Sequence, residues 1–130
     1  MRTAGPARVS RRAAAAKPAT RLLFRAFSDP TRLRILNLLR HREICVGDLV
    51  KVLRVPQATA SRHLTYLRRA RLVRTRKNGL WIYYALAPST GRLHSSLLAC
   101  LRSCAHEMPE LAVDVQRFEA LRKSGGCCPR

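Results

Sequence analysis

The sequence predicts a mainly α-helical fold carrying one β-hairpin. Two observations do most of the work. Apolar residues recur at spacings of three and four through most of the chain, the period of a helix with one buried side. Two β-prone runs, Leu72–Arg76 and Leu80–Leu86, flank the dipeptide Asn78-Gly79, a pair that tolerates the positive φ angles of a type I′ turn.

The elements follow in order. Thr20–Phe27 forms a short helix with Leu22, Leu23, Ala26 and Phe27 on its apolar side. Asp29-Pro30 opens the next: the carboxylate caps free N–H groups, and proline fits the first turn, where its missing N–H costs nothing. Leu33, Ile35, Leu36, Leu38 and Leu39 give it a wide apolar stripe ending near residues 40–42. A third helix spans Ile44–Leu53. After a turn at Arg54-Val55-Pro56, a fourth runs from Pro56 to Ala70 with Ala60, Leu64 and Leu67 inward. Two short helices joined by a tight turn are a helix-turn-helix, and a basic hairpin directly after it is a wing. Helices over residues 91–106 and 110–123 complete the order, and no internal repeat is visible.

Charge says what such a unit meets. The 130 residues hold 26 Lys and Arg against 7 Asp and Glu, a net charge of +19. No acid precedes Asp29, and none lies between Asp48 and Glu107. Lys51, Arg54, Arg62, Arg68, Arg69, Arg71, Arg74, Arg76 and Lys77 crowd the first part of that acid-free stretch. A field of one sign on one supersecondary unit points to a polyanion, double-stranded DNA before an anionic membrane surface. The basic segments do not form one long amphipathic helix of the membrane-surface type. No apolar run reaches the roughly 20 residues of a membrane helix. The common nucleotide and zinc-hydrolase fingerprints are absent, and no nucleophile sits beside a recognisable base and orienter, so the chain is not read as an enzyme.

Gln57, Thr59, Ser61, Arg62 and His63 are the predicted reading positions of the fourth helix. Gln suits adenine, Arg guanine, and Ser or Thr suit bases or phosphate oxygens. Arg74, Arg76 and Lys77 on the hairpin are expected to reach phosphate or the minor groove. Trp81, Tyr83 and Tyr84 either stack on bases or pack the wing.

The domain plan is a flexible basic tail at 1–19, a winged helix-turn-helix DNA-binding unit at 20–107, a C-terminal helix at 108–123, and a Cys-Cys tail at 124–130. The first nineteen residues are rich in Arg and Ala, without the apolar segment of a secretory signal; a phosphate-contacting arm and an organellar transit peptide are the two readings. Five cysteines, Cys45, Cys100, Cys104, Cys127 and Cys128, form no even ladder. They fit a reducing cytoplasm, where clustered thiols serve metal, metalloid or redox chemistry. Cys100 and Cys104, four apart, share a helix face, and soft thiolates select thiophilic ions.

Four motifs then resemble one family. Phe27-Ser28-Asp29-Pro30-Thr31-Arg32-Leu33-Arg34-Ile35-Leu36 resembles the x-S-D-P-T-R-x-x-I-L opening of the ArsR/SmtB winged-helix repressors. Glu43–Leu49 resembles their E-L-C-V-x-D-L box. Ser61–Leu64 and Lys77–Tyr84 resemble their recognition helix and wing. The likeness covers residues 20–106. It implies a homodimer built on the first and last helices, a palindromic operator, and repression relieved by a metal or metalloid. Arsenic-sensing members of one type carry three thiols in the box as C-V-C-D-L-C; here Cys45 is present, but Gly47 and Val50 replace the others. Zinc-sensing members use Asp and His after the wing, where Pro88-Ser89-Thr90 offers no first pair; His94 and His106 remain. The expected inducer is therefore As(III) or Sb(III) held by three of Cys100, Cys104, Cys127 and Cys128, with Cys45 an alternative ligand and Zn, Cd or Pb alternative ions. Two other readings stay open: a redox or persulfide sensor pairing Cys45 with Cys100 or Cys104, and a ligand-free DNA-binding protein.

Overall fold

The computed structural model describes residues 20–126. The basic arm at 1–19 and the Cys127-Cys128 pair lie outside the described residues. Among the described residues, six α-helices and three short strands follow the predicted order, with two additions. They are α1 (Thr20–Ala26), α2 (Pro30–Leu39), β1 (Ile44–Cys45), α3 (Val46–Leu53), α4 (Gln57–Arg69), β2 (Val73–Asn78), β3 (Trp81–Leu86), α5 (Arg92–Cys104), a 3₁₀ turn at Ala105–Glu107, and α6 (Pro109–Lys123).

Asp29 caps α2 as expected. Its Oδ2 accepts from the Arg32 N–H at 3.0 Å, and Pro30 occupies the first turn. The expected third helix loses its first two residues to β1. Ile44 and Cys45 are extended and pair with Tyr84 and Tyr83, turning the hairpin into a three-stranded antiparallel sheet ordered β1-β3-β2. A β-branched residue buried beside a free strand edge gains more from pairing than from one further helical turn.

The hairpin turn is also displaced. Asn78 pairs with Trp81, so the two-residue turn is Gly79-Leu80 rather than Asn78-Gly79. Gly79 has φ +63°, and neither Asn78 nor Leu80 is positive. Glycine at the first turn position alone is the pattern of a II′ turn, not the expected I′. Leu80 is thereby placed at the apex, 97% exposed.

The core joins Ile35, Leu36, Leu38 and Leu39 of α2 to Leu49, Val52 and Leu53 of α3, Leu64 and Leu67 of α4, and Leu72 beyond it. Each such side chain contributes about 1.5–3 kcal/mol on burial. α6 closes this core with Leu111 and Phe118, on either side of Asp114 on the same face. Asp114 is fully buried and bidentate to Arg34 of α2: Nε donates to Oδ2 at 2.8 Å and Nη2 to Oδ1 at 2.9 Å. Nη2 also donates to the Leu53 carbonyl at 2.9 Å, satisfying the end of α3. One arginine thus ties three helices.

α5 is less covered. Leu101 and His94 are buried, whereas Leu93, Leu97 and Leu98 are half-buried, and Phe24 of α1 is 53% exposed. No helix among the described residues is long and apolar enough to cross a membrane.

Candidate DNA-binding face and thiol pair

α4 stands on its apolar side, Ala60, Leu64 and Leu67, which directs the opposite side to solvent. Gln57, Ser61 and Arg62 are exposed there, and Thr59 is half-buried. Ser61, Arg62, Thr65, Tyr66 and Arg69 line a groove of about 340 Å³ along the helix. The side chains that sequence assigned to base reading therefore lie along one helix, within about 8 Å of axis for six residues.

Both ends of the unit are fixed by arginines in the left-handed conformation. Arg54, φ +57°, closes α3, its N–H bonding the Val50 carbonyl at 3.0 Å. Arg71, φ +58°, closes α4: its N–H meets the Arg68 carbonyl, and the Leu72 N–H meets that of Leu67, both at 3.0 Å. That pair of bonds is a Schellman motif, with arginine where glycine is usual.

His63 and Arg76 sit differently from what their sequence positions suggest. His63 is turned towards the start of α2. Its Nδ1 lies 3.3 Å from Arg32 Nη1 and 3.7 Å from Asp29 Oδ2. Burial, with Arg32 and Arg62 nearby, pushes its imidazole below the usual histidine range against the pull of Asp29. On the wing, Arg76 forks onto Glu43, Nε to Oε2 at 3.0 Å and Nη2 to Oε1 at 2.8 Å. It also stacks on the Tyr83 ring at 4.5 Å. The Arg76 bond holds the Glu43 carboxyl below its ordinary range. Arg74 and Lys77 remain exposed on the same strand. Of the three wing aromatics, Tyr83 is buried, Tyr84 half-buried and Trp81 at the exposed tip.

The thiols form a second place of interest. Cys100 and Cys104 are free and neighbouring on α5; Cys100 is exposed and Cys104 half-buried. The neighbouring Cys100 sulfur, towards which the Cys104 S–H is the donor, is the main reason the Cys104 thiol is pushed up. Cys45 is buried beside Tyr83 and engaged in a disulfide, whereas Cys100 and Cys104 are not, so the expected pairing of Cys45 with either is not formed. His94 is 1% exposed. Its Nδ1 accepts from the Thr90 N–H at 3.3 Å, and burial lowers its affinity for a proton. That is the setting of a neutral core histidine. Among the described residues no group of three or more His, Cys, Asp and Glu is placed to hold a metal ion.

Sequence reasoning missed Arg34, Asp114 and Arg32. Asp114 carried a faint signal, an acid in phase with Leu111 and Phe118 on an otherwise apolar face.

Comparison with known proteins agrees with this architecture. Residues 29–75 match the model of the bacterial regulatory protein, arsR family. An uncharacterised HTH-type transcriptional regulator of Methanocaldococcus jannaschii is 46% identical over 63 residues, 48% of this chain and 71% of the relative. The arsenical resistance operon repressor of Escherichia coli is 45% identical over 67 residues, 51% of this chain and 57% of that protein. In three dimensions HlyU of Vibrio cholerae superposes with a TM-score of 0.57 at 31% identity, covering 67% of this chain and 88% of the other. A relative this similar over most of its length, the matched helix-turn-helix and the three-stranded wing place the chain in the ArsR/SmtB family of winged-helix, DNA-binding transcriptional regulators, which are not enzymes.

Proposed function

We propose that the chain is a homodimeric repressor that binds a palindromic operator through α4 and the wing, and leaves it when trivalent arsenic or antimony binds its thiolates. The observation that carries the ligand assignment is the Cys100–Cys104 pair, two free thiols four residues apart on one face of α5. As(III) and Sb(III) favour three thiolates; two come from this pair and the third from Cys127 or Cys128. The arsenical resistance operon repressor of E. coli is a relative with a matching response in its name. The half-covered leucines of α5 and the exposed Phe24 supply apolar surface for a second copy. Two α4 helices related by a two-fold axis then meet successive major grooves about 34–36 Å apart. Gln57, Thr59, Ser61 and Arg62 supply register and base contacts, and Arg74, Lys77 and the remaining cations supply salt-dependent affinity. A ligand bound on α5 acts by favouring a dimer geometry in which the two α4 helices no longer fit successive grooves.

One observation favours a second reading. Cys45 is in a disulfide at the point where β1 passes into α3, as an oxidation-driven switch would require. A single titration separates the two. Reduced protein is bound to the duplex upstream of its own gene, and fluorescence anisotropy is followed during addition of arsenite, antimonite, zinc, cadmium, lead or a mild oxidant. Release by arsenite or antimonite, lost in a Cys100→Ser, Cys104→Ser double variant, supports the metalloid reading. Release by oxidant alone, lost in Cys45→Ser, replaces it with the redox reading. Retained binding with every addition leaves a ligand-free DNA-binding protein.

A further inference from the structure

Arg32 touches both α1 and α4 through its charged group. Its Nη2 donates to the Arg25 carbonyl at 2.6 Å and its Nε to the Ala26 carbonyl at 3.1 Å, at the C-terminal end of α1. Its Nη1 lies 3.3 Å from His63 Nδ1, and the guanidinium covers the Tyr66 ring at 4.3 Å from the centroid. His63 and Tyr66 are neighbours on one side of α4, and Tyr66 also lines the groove with Ser61, Arg62, Thr65 and Arg69. Among the described residues no carboxylate pairs with the Arg32 guanidinium. Its donors go instead to the last carbonyls of one helix and to side chains of another. A planar fork of five N–H donors can do this at once; an ammonium cannot.

We propose that Arg32 is a positioning residue for DNA reading: it couples the end of α1 to His63 and Tyr66, and so sets the tilt of α4 and the presentation of Ser61 and Arg62. The inference rests on the reading that α4 meets DNA. It also fixes a proton. Arginine has no lone pair to offer, so His63 Nδ1 must be the acceptor and stays unprotonated while the link holds. Protonation removes that lone pair and sets a cation against Arg32 and Arg62, leaving Asp29 as the sole favourable neighbour. The link therefore opens as pH falls and His63 turns towards Asp29.

Four variants test it: Arg32→Lys, Arg32→Gln, His63→Gln and His63→Leu. Affinity is measured by anisotropy on a duplex enriched from a random pool by the unaltered chain, and the His63 ring is titrated by NMR without DNA. Arg32→Lys and His63→Leu are expected to weaken binding about tenfold, while His63→Gln, whose carbonyl replaces the Nδ1 acceptor, stays within about twofold. In Arg32→Gln the His63 midpoint is expected to rise, since Asp29 then acts against one cation fewer. A residue that merely fills space would not move that midpoint. Folded Arg32→Lys binding within about twofold of the unaltered chain overturns the proposal, as does an unmoved His63 midpoint. If Arg32→Lys fails to fold, the contrast between His63→Gln and His63→Leu decides the affinity arm. If the unaltered chain enriches no duplex, the DNA reading itself fails, and the NMR arm still decides the coupling.

Discussion

Arginine does opposite work in the two halves of this fold. Where α6 meets α2, Arg34 is bidentate to the buried Asp114 and Arg117 approaches the same carboxylate at 3.8 Å, and further along α6 Arg122 meets Glu119 at 3.1 Å. On α4, Arg62, Arg68 and Arg69 stand exposed with no carboxylate partner among the described residues. The difference follows from where the seven acids lie. A chain of net charge +19 spends four of them after residue 106, where cations must be neutralised to bury a helix face, and none between Asp48 and Glu107, the stretch that holds α4 and the wing. The paired half builds the scaffold and the unpaired half carries the field.

The largest test of that division is Asp114→Ala. Removing one partner leaves the Arg34 charge poorly compensated and costs about 3–5 kcal/mol, read as a lower urea midpoint. DNA affinity of the fraction still folded should be near normal. Replacing both Arg34 and Asp114 by apolar residues of similar volume is expected to be far milder, because no charge is then stranded. Equal losses in the single and double variants would show that the pair does more than hold α6.

Arg62→Ala should show the reverse. It removes no packed group, so the urea midpoint stays within about 0.5 kcal/mol of the unaltered chain. Operator affinity falls by about 1–3 kcal/mol if Arg62 reads a base, and discrimination at that base relaxes. A loss that is uniform across sequences would reassign Arg62 to phosphate.

The same contrast explains what sequence could and could not show. α4 is legible in the sequence because its signals are local: Pro56 at the start, Ala60, Leu64 and Leu67 in phase, polar types between. The wing was legible as two strands. Its register was not, because Asn78-Gly79 satisfies one turn and Gly79-Leu80 another. Pairing across the sheet chooses between them, and the observed register sets Arg76 opposite Tyr83, where it stacks on the ring. The Arg34–Asp114 pair joins residues 80 apart, and neither end announces the other. The surroundings of His63 are hidden for a related reason. It lies next to Arg62 in sequence, yet one further residue rotates a helix by about 100°, enough to carry it from the groove towards Asp29 and Arg32. As for the thiols, only half of the predicted set falls among the described residues.

Arg54 gives a smaller and opposite effect on stability. A non-glycine residue in the left-handed region costs about 1–2 kcal/mol, and the extra freedom of glycine in the unfolded chain returns about 0.5–1 kcal/mol of that. Arg54→Gly should therefore raise stability by roughly 0.5–1 kcal/mol. It should also shed one cation from the basic unit, seen as a shallower dependence of DNA affinity on salt. A destabilised Arg54→Gly would mean that its side-chain packing outweighs the backbone strain.

The finest test concerns the wing cation that breaks the pattern. Arg76 lies within the basic unit, yet it is held by the Glu43 carboxylate. Glu43 either competes with phosphate for Arg76 or holds it ready at the right height beside Tyr83. Glu43→Gln distinguishes these. Competition predicts tighter DNA binding, by about two- to fivefold at low salt, with a salt slope steeper by about one phosphate contact. Preorganisation predicts weaker binding, because the freed guanidinium must be ordered again at the interface. The pH dependence gives a second handle with a fixed sign. The Arg76 hydrogen bond lowers the Glu43 carboxyl's proton affinity, so the pair should hold as pH falls and be lost below the ordinary carboxylate range. If the Glu43→Gln variant matches the unaltered chain in affinity and salt slope, Arg76 takes no part in binding, and the positive face ends at Arg74 and Lys77.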